Sequence, residues 1–311
     1  MIAHQLTLIR REIWEHPAIW VSPLVIALIV SMLTLTGQVS VSAFGEAVDL
    51  AIVGAQNADE VHRAAIMTGA LTAIASIFAF GAWIVMIFYS LDALYAERKD
   101  KSILFWRSLP ITDAETVVSK LLTALFVIPV VTVVVVMATH LLVLVLTSIW
   151  VKFQGGQALH LIWGSARLGD IWAACVACAL LLPLWMSPLI GWFLFVSTLT
   201  KRAPFLTAVL PILLLPMLEK MLPMRSSFFI DAIYVRTFQP PLFDLSGFER
   251  VEQQIEEQFY SGLPGTEGVS LLKHLDVAGY IASPSLWLGM VVCGIFVVGA
   301  IYVRRYRDES Y

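Results

Sequence analysis

The sequence predicts an all-α polytopic membrane protein with six transmembrane helices. Three observations carry that prediction. First, 59% of the 311 residues are hydrophobic and only 14% are charged, with a mean hydropathy of +0.83. A soluble domain typically carries about 25% charged residues, so the deficit points to lipid as the solvent. Second, six long stretches contain no Asp, Glu, Lys or Arg. They run roughly Pro17–Leu35, Ile66–Leu91, Leu121–Trp150, Ile171–Leu199, Ala203–Leu218 and Val277–Val303. A bilayer core about 30 Å thick needs about 20 helical residues at about 1.5 Å each. Third, the basic residues cluster in alternate connections between these stretches. A net charge of −3 is too small to suggest nucleic acid or another strongly charged partner.

The chain opens with residues 1–16. Ile2, Leu6, Ile9 and Ile13 recur at helical spacing, and Arg10, Arg11, Glu12 and Glu15 fall elsewhere around the helix. This predicts an amphipathic helix lying on the membrane surface. Arg10-Arg11 imitates a secretory leader, but the apolar run that follows is span-length and no small-residue cleavage site follows it. After spans one and two comes a charged connection at 92–120. Span three holds His140, an ionisable group at membrane depth and therefore a functional suspect, unless it sits near the outer edge. Span four holds Cys175 and Cys178 as a CxxC, with no His or Asp nearby in sequence. In an apolar helix these read as small packing residues, and the three cysteines form no disulfide framework.

Span five is marginal, and Pro204, Pro211 and Pro216 punctuate it. Proline removes a backbone donor and kinks a helix. Broken backbone survives at membrane depth only where protein or a watery cavity covers it. That makes a short, kinked span facing the inside of an assembly one reading; an ordinary kinked span is the other. The largest connection, 219–284, carries turn signals at Ser246-Gly247 and Gly262-Leu-Pro-Gly265. Between them Phe248–Tyr260 reads as an acidic helix. Met221–Phe238 is more apolar and suited to dipping back into the membrane edge.

Six spans put both termini on one side, and the positive-inside rule selects which. One face carries Arg10, Arg11, Arg98, Lys99, Lys101, Arg107, Lys120, Lys201, Arg202, Arg304, Arg305 and Arg307 in short segments. The opposite face has longer loops with fewer positive charges per residue. Both termini and the 92–120 connection are therefore expected to be cytoplasmic.

That connection contains Tyr95-Ala-Glu-Arg-Lys-Asp-Lys-Ser-Ile-Leu-Phe-Trp-Arg-Ser-Leu-Pro110. Ser102 can cap a short helix. Ile103, Phe105, Trp106 and Leu109 would then present large apolar surface outside the bilayer, and Pro110 would end the helix. Thr112 or Asp113 can cap the next one. Aromatic residues and arginine are common anchors of protein interfaces. They are also common in the headgroup belt, and the residues alone leave both readings open.

This stretch, followed by Ser119-Lys120, resembles the signature of the type-2 ABC transporter permeases. In that family a tyrosine-and-glutamate segment after span two leads to a small coupling helix, then leucine-proline, then a lysine opening span three. The resemblance extends over nearly the whole chain, through the N-terminal helix and six spans to the arginine-rich tail Tyr302-Val-Arg-Arg-Tyr-Arg-Asp308. Ser102 stands where many members have glycine, and the outer loop is long for the family.

The resemblance implies a single transmembrane permease domain over residues 1–311, in a bacterial-type cytoplasmic (inner) membrane. It implies a separate ABC ATP-binding subunit, two copies expected, docked on the coupling helix. It also implies a second permease subunit, as homodimer or heterodimer, among membrane lipids. The permease would bind no cofactor itself; ATP and Mg would sit on the ATPase. Ile103, Phe105, Trp106 and Leu109 would pack against that partner, and Glu97, Arg98, Lys101 and Arg107 would make polar contacts. The pathway would be lined by spans two and five, with Phe205, Pro211, Pro216 and His140 as candidates. Export of a lipid, peptide or drug-like amphiphile is the expected activity. A non-transporting membrane scaffold, or a membrane-embedded enzyme, is the alternative. The sequence has no GxxxxGK[ST] phosphate loop, no HExxH and no GxSxG. Leu245-Ser-Gly247 echoes an ABC signature, but Phe248 and Glu249 break it.

Overall fold

The computed structural model describes residues 2–36, 60–108, 110–153, 157–221, 228–243 and 271–306. Among these, structure is helical apart from one isolated bridge between Phe243 and Leu275. Six helices are long and apolar enough to cross a membrane.

Helix α1 (Ile2–Glu15) is followed by α2 (Ala18–Leu35), the first span. The second span is α3 (Glu60–Asp92), 33 residues or about 50 Å long. Two single-turn helices follow, α4 (Tyr95–Lys99) and α5 (Ile103–Arg107). The third span is α6 (Asp113–Leu122), a π-turn at Thr123–Val127, and α7 (Ile128–Phe153). Thr112 starts it with a capping box: its hydroxyl accepts from the Glu115 amide, and the Glu115 carboxylate accepts from the Thr112 amide at 2.9 Å. The S/T-x-x-E pattern at Thr112–Glu115 encodes that start.

The fourth apolar stretch is two helices rather than one. Helix α8 (Leu168–Trp185) ends at Met186 and α9 (Ser187–Leu199) begins there. Pro183 and Pro188 flank the junction, and each withdraws a backbone donor. The fifth span, α10 (Pro204–Met221), is the reverse case. Its helix runs uninterrupted through Pro211 and Pro216. Pro204 is its first residue, where a missing donor costs nothing. Only 11% of α10 is buried within the chain, the least of the six spans. Helix α11 (Phe228–Phe238), a 3₁₀ turn at Leu272–His274, α12 (Val277–Ala282) and the sixth span, α13 (Pro284–Tyr306), complete the fold. The acidic segment Phe248–Tyr260 lies outside the described residues.

Two packing units organise the bundle. Helices α2, α3 and α7 pack around Val30, Ile74, Phe78, Val136 and Val143. Helices α9 and α13 pack along their lengths, with a close approach at Gly191, where a Cβ would stand 3.0 Å from Cys293 Sγ and 3.1 Å from its Cα. A larger cluster including Ile19, Met86, Val117, Ile128, Ile190, Leu194 and Val297 joins them. Helix α11 returns along the bundle: Arg236, near its end, donates at 2.9 Å to the carbonyl of Trp185 at the end of α8. Asp170, at the start of α8, accepts at 2.7 Å from the Leu271 amide. The two anchor points are about 22 Å apart along the helix.

Candidate functional site

The segment that joins spans two and three is held by a buried knot of charge. Glu97 on α4 accepts from three cations: Arg11 of α1 at 3.0 Å, Lys120 of α6 at 3.0 Å and Arg304 of α13 at 2.7 Å. Lys120 also donates to both Glu12 carboxylate oxygens, at 2.9 and 3.1 Å. The Tyr89 hydroxyl donates to Glu12 at 2.8 Å, and Arg304 donates to Asp113 at 2.9 Å. Glu12, Glu97, Lys120 and Arg304 are each at most 5% exposed. Two carboxylates and two cations sum to zero, which is the condition under which burying them is tolerable. The knot draws the N-terminal helix, the 2–3 connection and the end of span six to one end of the bundle.

Sequence reasoning set Glu12 off the apolar stripe of α1. The structure turns it inward, one turn from buried Leu8. Neither Glu12 nor the structural weight of Lys120 and Arg304 was visible in the sequence. The only available signal was an acidic residue on α1 recurring at i+4 from a buried leucine.

Backbone geometry sets the next turn. Lys101 adopts a left-handed φ of 57° after α4. Its amide donates to the Arg98 carbonyl, and the Ser102 hydroxyl donates to the Glu97 carbonyl at 3.3 Å. This is the pattern of a helix stopped by an αL residue. Helix α5 then lies against the bundle with one face outward. Ile103 is turned inward and 1% exposed, whereas Phe105 is 61% exposed. Trp106 is half-buried, with the Arg11 guanidinium 3.4 Å above its ring and Phe105 edge-on at 5.1 Å.

The expected docking residues therefore divide. Glu97 spends its carboxylate inside the chain. Arg98 donates to the carbonyls of Ser197 and Thr200 at the end of α9, at 2.6 and 2.7 Å. Ile103 is core. Lys101 and Phe105 face outward, and Trp106 is shared with Arg11. Leu109 lies outside the described residues.

The expected pathway residues divide too. Phe205 on α10 is half exposed and stacks on Phe88 of α3 with centroids 5.7 Å apart, so spans two and five meet there. Pro211 and Pro216 lie in the exposed, apolar α10. His140 is fully buried, with Nε2 3.0 Å from the Leu71 carbonyl, and ties α7 to α3. Cys175 and Cys178 are free thiols on the wall of an apolar cavity of about 390 Å³. Among the described residues no group of His, Cys, Asp and Glu could hold a metal ion.

Residues 63–186 match the model of the ABC-2 family transporter protein. Over that stretch the chain is similar to the ABC-2 type permeases. The matched stretch covers spans two and three, the connection between them and α8. No curated protein and no solved structure matches the chain. Permeases of this family form the membrane part of ABC transporters and generally work with an ATP-binding subunit. The residues that surround Glu97 come from α1, α4, α6 and α13, so the match and the charge knot overlap only in part.

Proposed function

We propose that the permease is the membrane subunit of an ATP-driven exporter and that its ATPase docks on α5. The observation that carries this reading is Phe105. A phenylalanine 61% exposed, on the outward face of a single-turn helix, presents an anchor that its own chain leaves mostly uncovered. Lys101 beside it supplies an exposed cation. Glu97 is not a docking contact in this reading. It holds α4, and through it α5, rigid against α1, α6 and α13, so that a push on Phe105 is transmitted to the spans.

The exposed flank of α10 supports a second subunit packed there, with the pathway between two copies. Leu206, Leu213 and Met217 are each more than 60% exposed on that helix. An amphipathic cargo fits this apolar surface better than a charged polymer. Helices α1 and α13 share one end of the bundle with α5, and the basic residues gathered there support a cytoplasmic side of an inner membrane for that end.

The test is a mild-detergent pull-down with partners identified by mass spectrometry, comparing wild type with Phe105→Ala. The structure favours Phe105 alone as the primary variant, because Trp106→Ala also strips the ring beneath Arg11. An ABC ATPase that co-purifies with wild type and is lost from a folded Phe105→Ala supports the docking site. Undiminished recovery with the variant counts against it.

A further inference from the structure

The cavity of about 390 Å³ lies inside one permease chain, between α3, α7 and α8, and the returning outer segment closes one side of it through Arg236, Thr237, Pro240 and Phe243. Its size falls within the roughly 300–1,000 Å³ of small-molecule sites. On α3 it runs from Thr72 to Met86, 14 residues or about 21 Å, so it is a slot rather than a sphere. Ala75, Ala79 and Ala82 keep that wall flat, and Ala174, Cys175 and Cys178 do the same on α8.

The polar groups on the walls are turned away from the slot. The Thr72 hydroxyl donates to the Thr68 carbonyl at 2.7 Å, Ser76 to Thr72 at 2.9 Å and Thr132 to Ile128 at 2.9 Å, each along its own helix. Arg236 spends its two Nη groups on the carbonyls of Trp185 and Ser285, and its guanidinium stacks over the Trp185 ring at 4.1 Å. Gly289 makes room for it, since a Cβ there would stand 2.5 Å from Nη2. A buried water needs two to four polar partners, and these walls offer almost none. The slot is open on one side, where Ser76 and Ala79 of α3 are exposed, and bare apolar wall there forfeits dispersion contacts. In a bilayer the abundant apolar solute of matching, elongated shape is a hydrocarbon chain.

We infer that this slot takes a single hydrocarbon chain, the tail of an amphiphile. Two sources share that chemistry: a resident bilayer lipid and the exported cargo. Only the choice between them rests on the exporter reading.

The experiment reconstitutes the full-length permease in nanodiscs containing a phospholipid with a diazirine at the end of one acyl chain. A parallel sample uses a diazirine-bearing single-chain fatty alcohol. After illumination, insertion sites are mapped by mass spectrometry. Strong labelling of the α8 wall at Ala174–Leu182, above that of the lipid-facing Val291 and Ile295 on α13, is expected. Ala79→Trp, which fills the slot from α3, should bring the α8 labelling down to the α13 level and leave α13 unchanged. Ala174→Phe fills it from the opposite wall and serves if Ala79→Trp does not fold. Labelling of α8 no stronger than α13 in wild type, or unaffected by either filling variant, overturns the inference. With the slot labelled, adding the co-purifying ATPase and ATP before illumination separates the sources: cargo leaves the slot and a resident lipid stays. The labelling arm needs no ATPase, so it can fail while the pull-down succeeds, and the reverse.

Discussion

Lys120→Met tests the charge knot directly. Lys120 is fully buried and bridges two carboxylates, at 2.9 Å to Glu12 and 3.0 Å to Glu97. Removing it affects the two acids unequally. Glu97 keeps Arg11 and Arg304. Among the described residues Glu12 then keeps the Tyr89 hydroxyl at 2.8 Å and His16 at 3.6 Å, so it becomes a buried anion without the lysine that neutralised it. Breaking a buried pair from one side costs about 3–5 kcal/mol. Replacing both partners avoids the orphaned charge, so Glu12→Gln with Lys120→Met should be more stable than Lys120→Met alone, by about 1–3 kcal/mol. Lys101→Met is the control: that side chain is exposed, and surface changes fall within about 0.5 kcal/mol. Thermal unfolding of the purified proteins in one detergent, followed by loss of the monodisperse peak in size-exclusion chromatography, reads the order. The reasoning is refuted if Lys120→Met melts with Lys101→Met, or if the double variant is as unstable as the two single losses combined.

Three further outcomes follow from local geometry. Gly191→Leu should wedge α9 from α13, because even a Cβ there meets Cys293 at 3.0 Å; overpacking of this kind costs about 1–3 kcal/mol, read by the same melt. Thr112→Ala removes the cap of span three and should cost about 0.5–2 kcal/mol, whereas Thr112→Ser should stay near wild type. His16 gives a pH dependence. Burial holds its imidazole below the ordinary 6.5, although Glu12 pulls the other way. The folded state thus favours the neutral ring. Its contribution is complete above pH 6.5 and is lost as pH falls from there toward the lowered folded value. His16→Gln should flatten the stability profile over that interval, measured by melts across a pH series.

The sequence revealed most of the architecture because apolar length is a long-range signal that tolerates local error. Six uncharged stretches matched six spans. Breaks inside those stretches were harder, since proline has opposite outcomes in two places. Pro183 and Pro188 bracket a real interruption at Met186, while Pro211 and Pro216 sit within continuous helix. Local sequence does not distinguish them; the packing of Trp185 against Leu242, Tyr280 and Leu286 from the returning segment does. Thr112 and Asp113 were both open as caps of α6, and Glu115, three residues after Thr112, is what selects Thr112. Glu97 was read as a polar contact for a partner and not as a buried ion-pair centre, because its three cations come from positions 11, 120 and 304. Nothing in linear order announces such a meeting. Cys175 and Cys178 were read as packing residues, and the structure sets them on a cavity wall, a distinction made by helices α3 and α7 opposite them.

Arg11, Lys120 and Arg304 have one more consequence, which concerns the order of events at biogenesis. Topology is chosen while the chain is still being threaded, when these cations are solvated and count toward orientation. In the finished protein Lys120 and Arg304 are 0% and 4% exposed and belong to Glu12, Glu97 and Asp113. The orienting charges are thus withdrawn from the surface once the helices assemble. A neutral substitution at Arg304 would act at two separate times: first on which way the last span is inserted, and later on whether the ends of the bundle close.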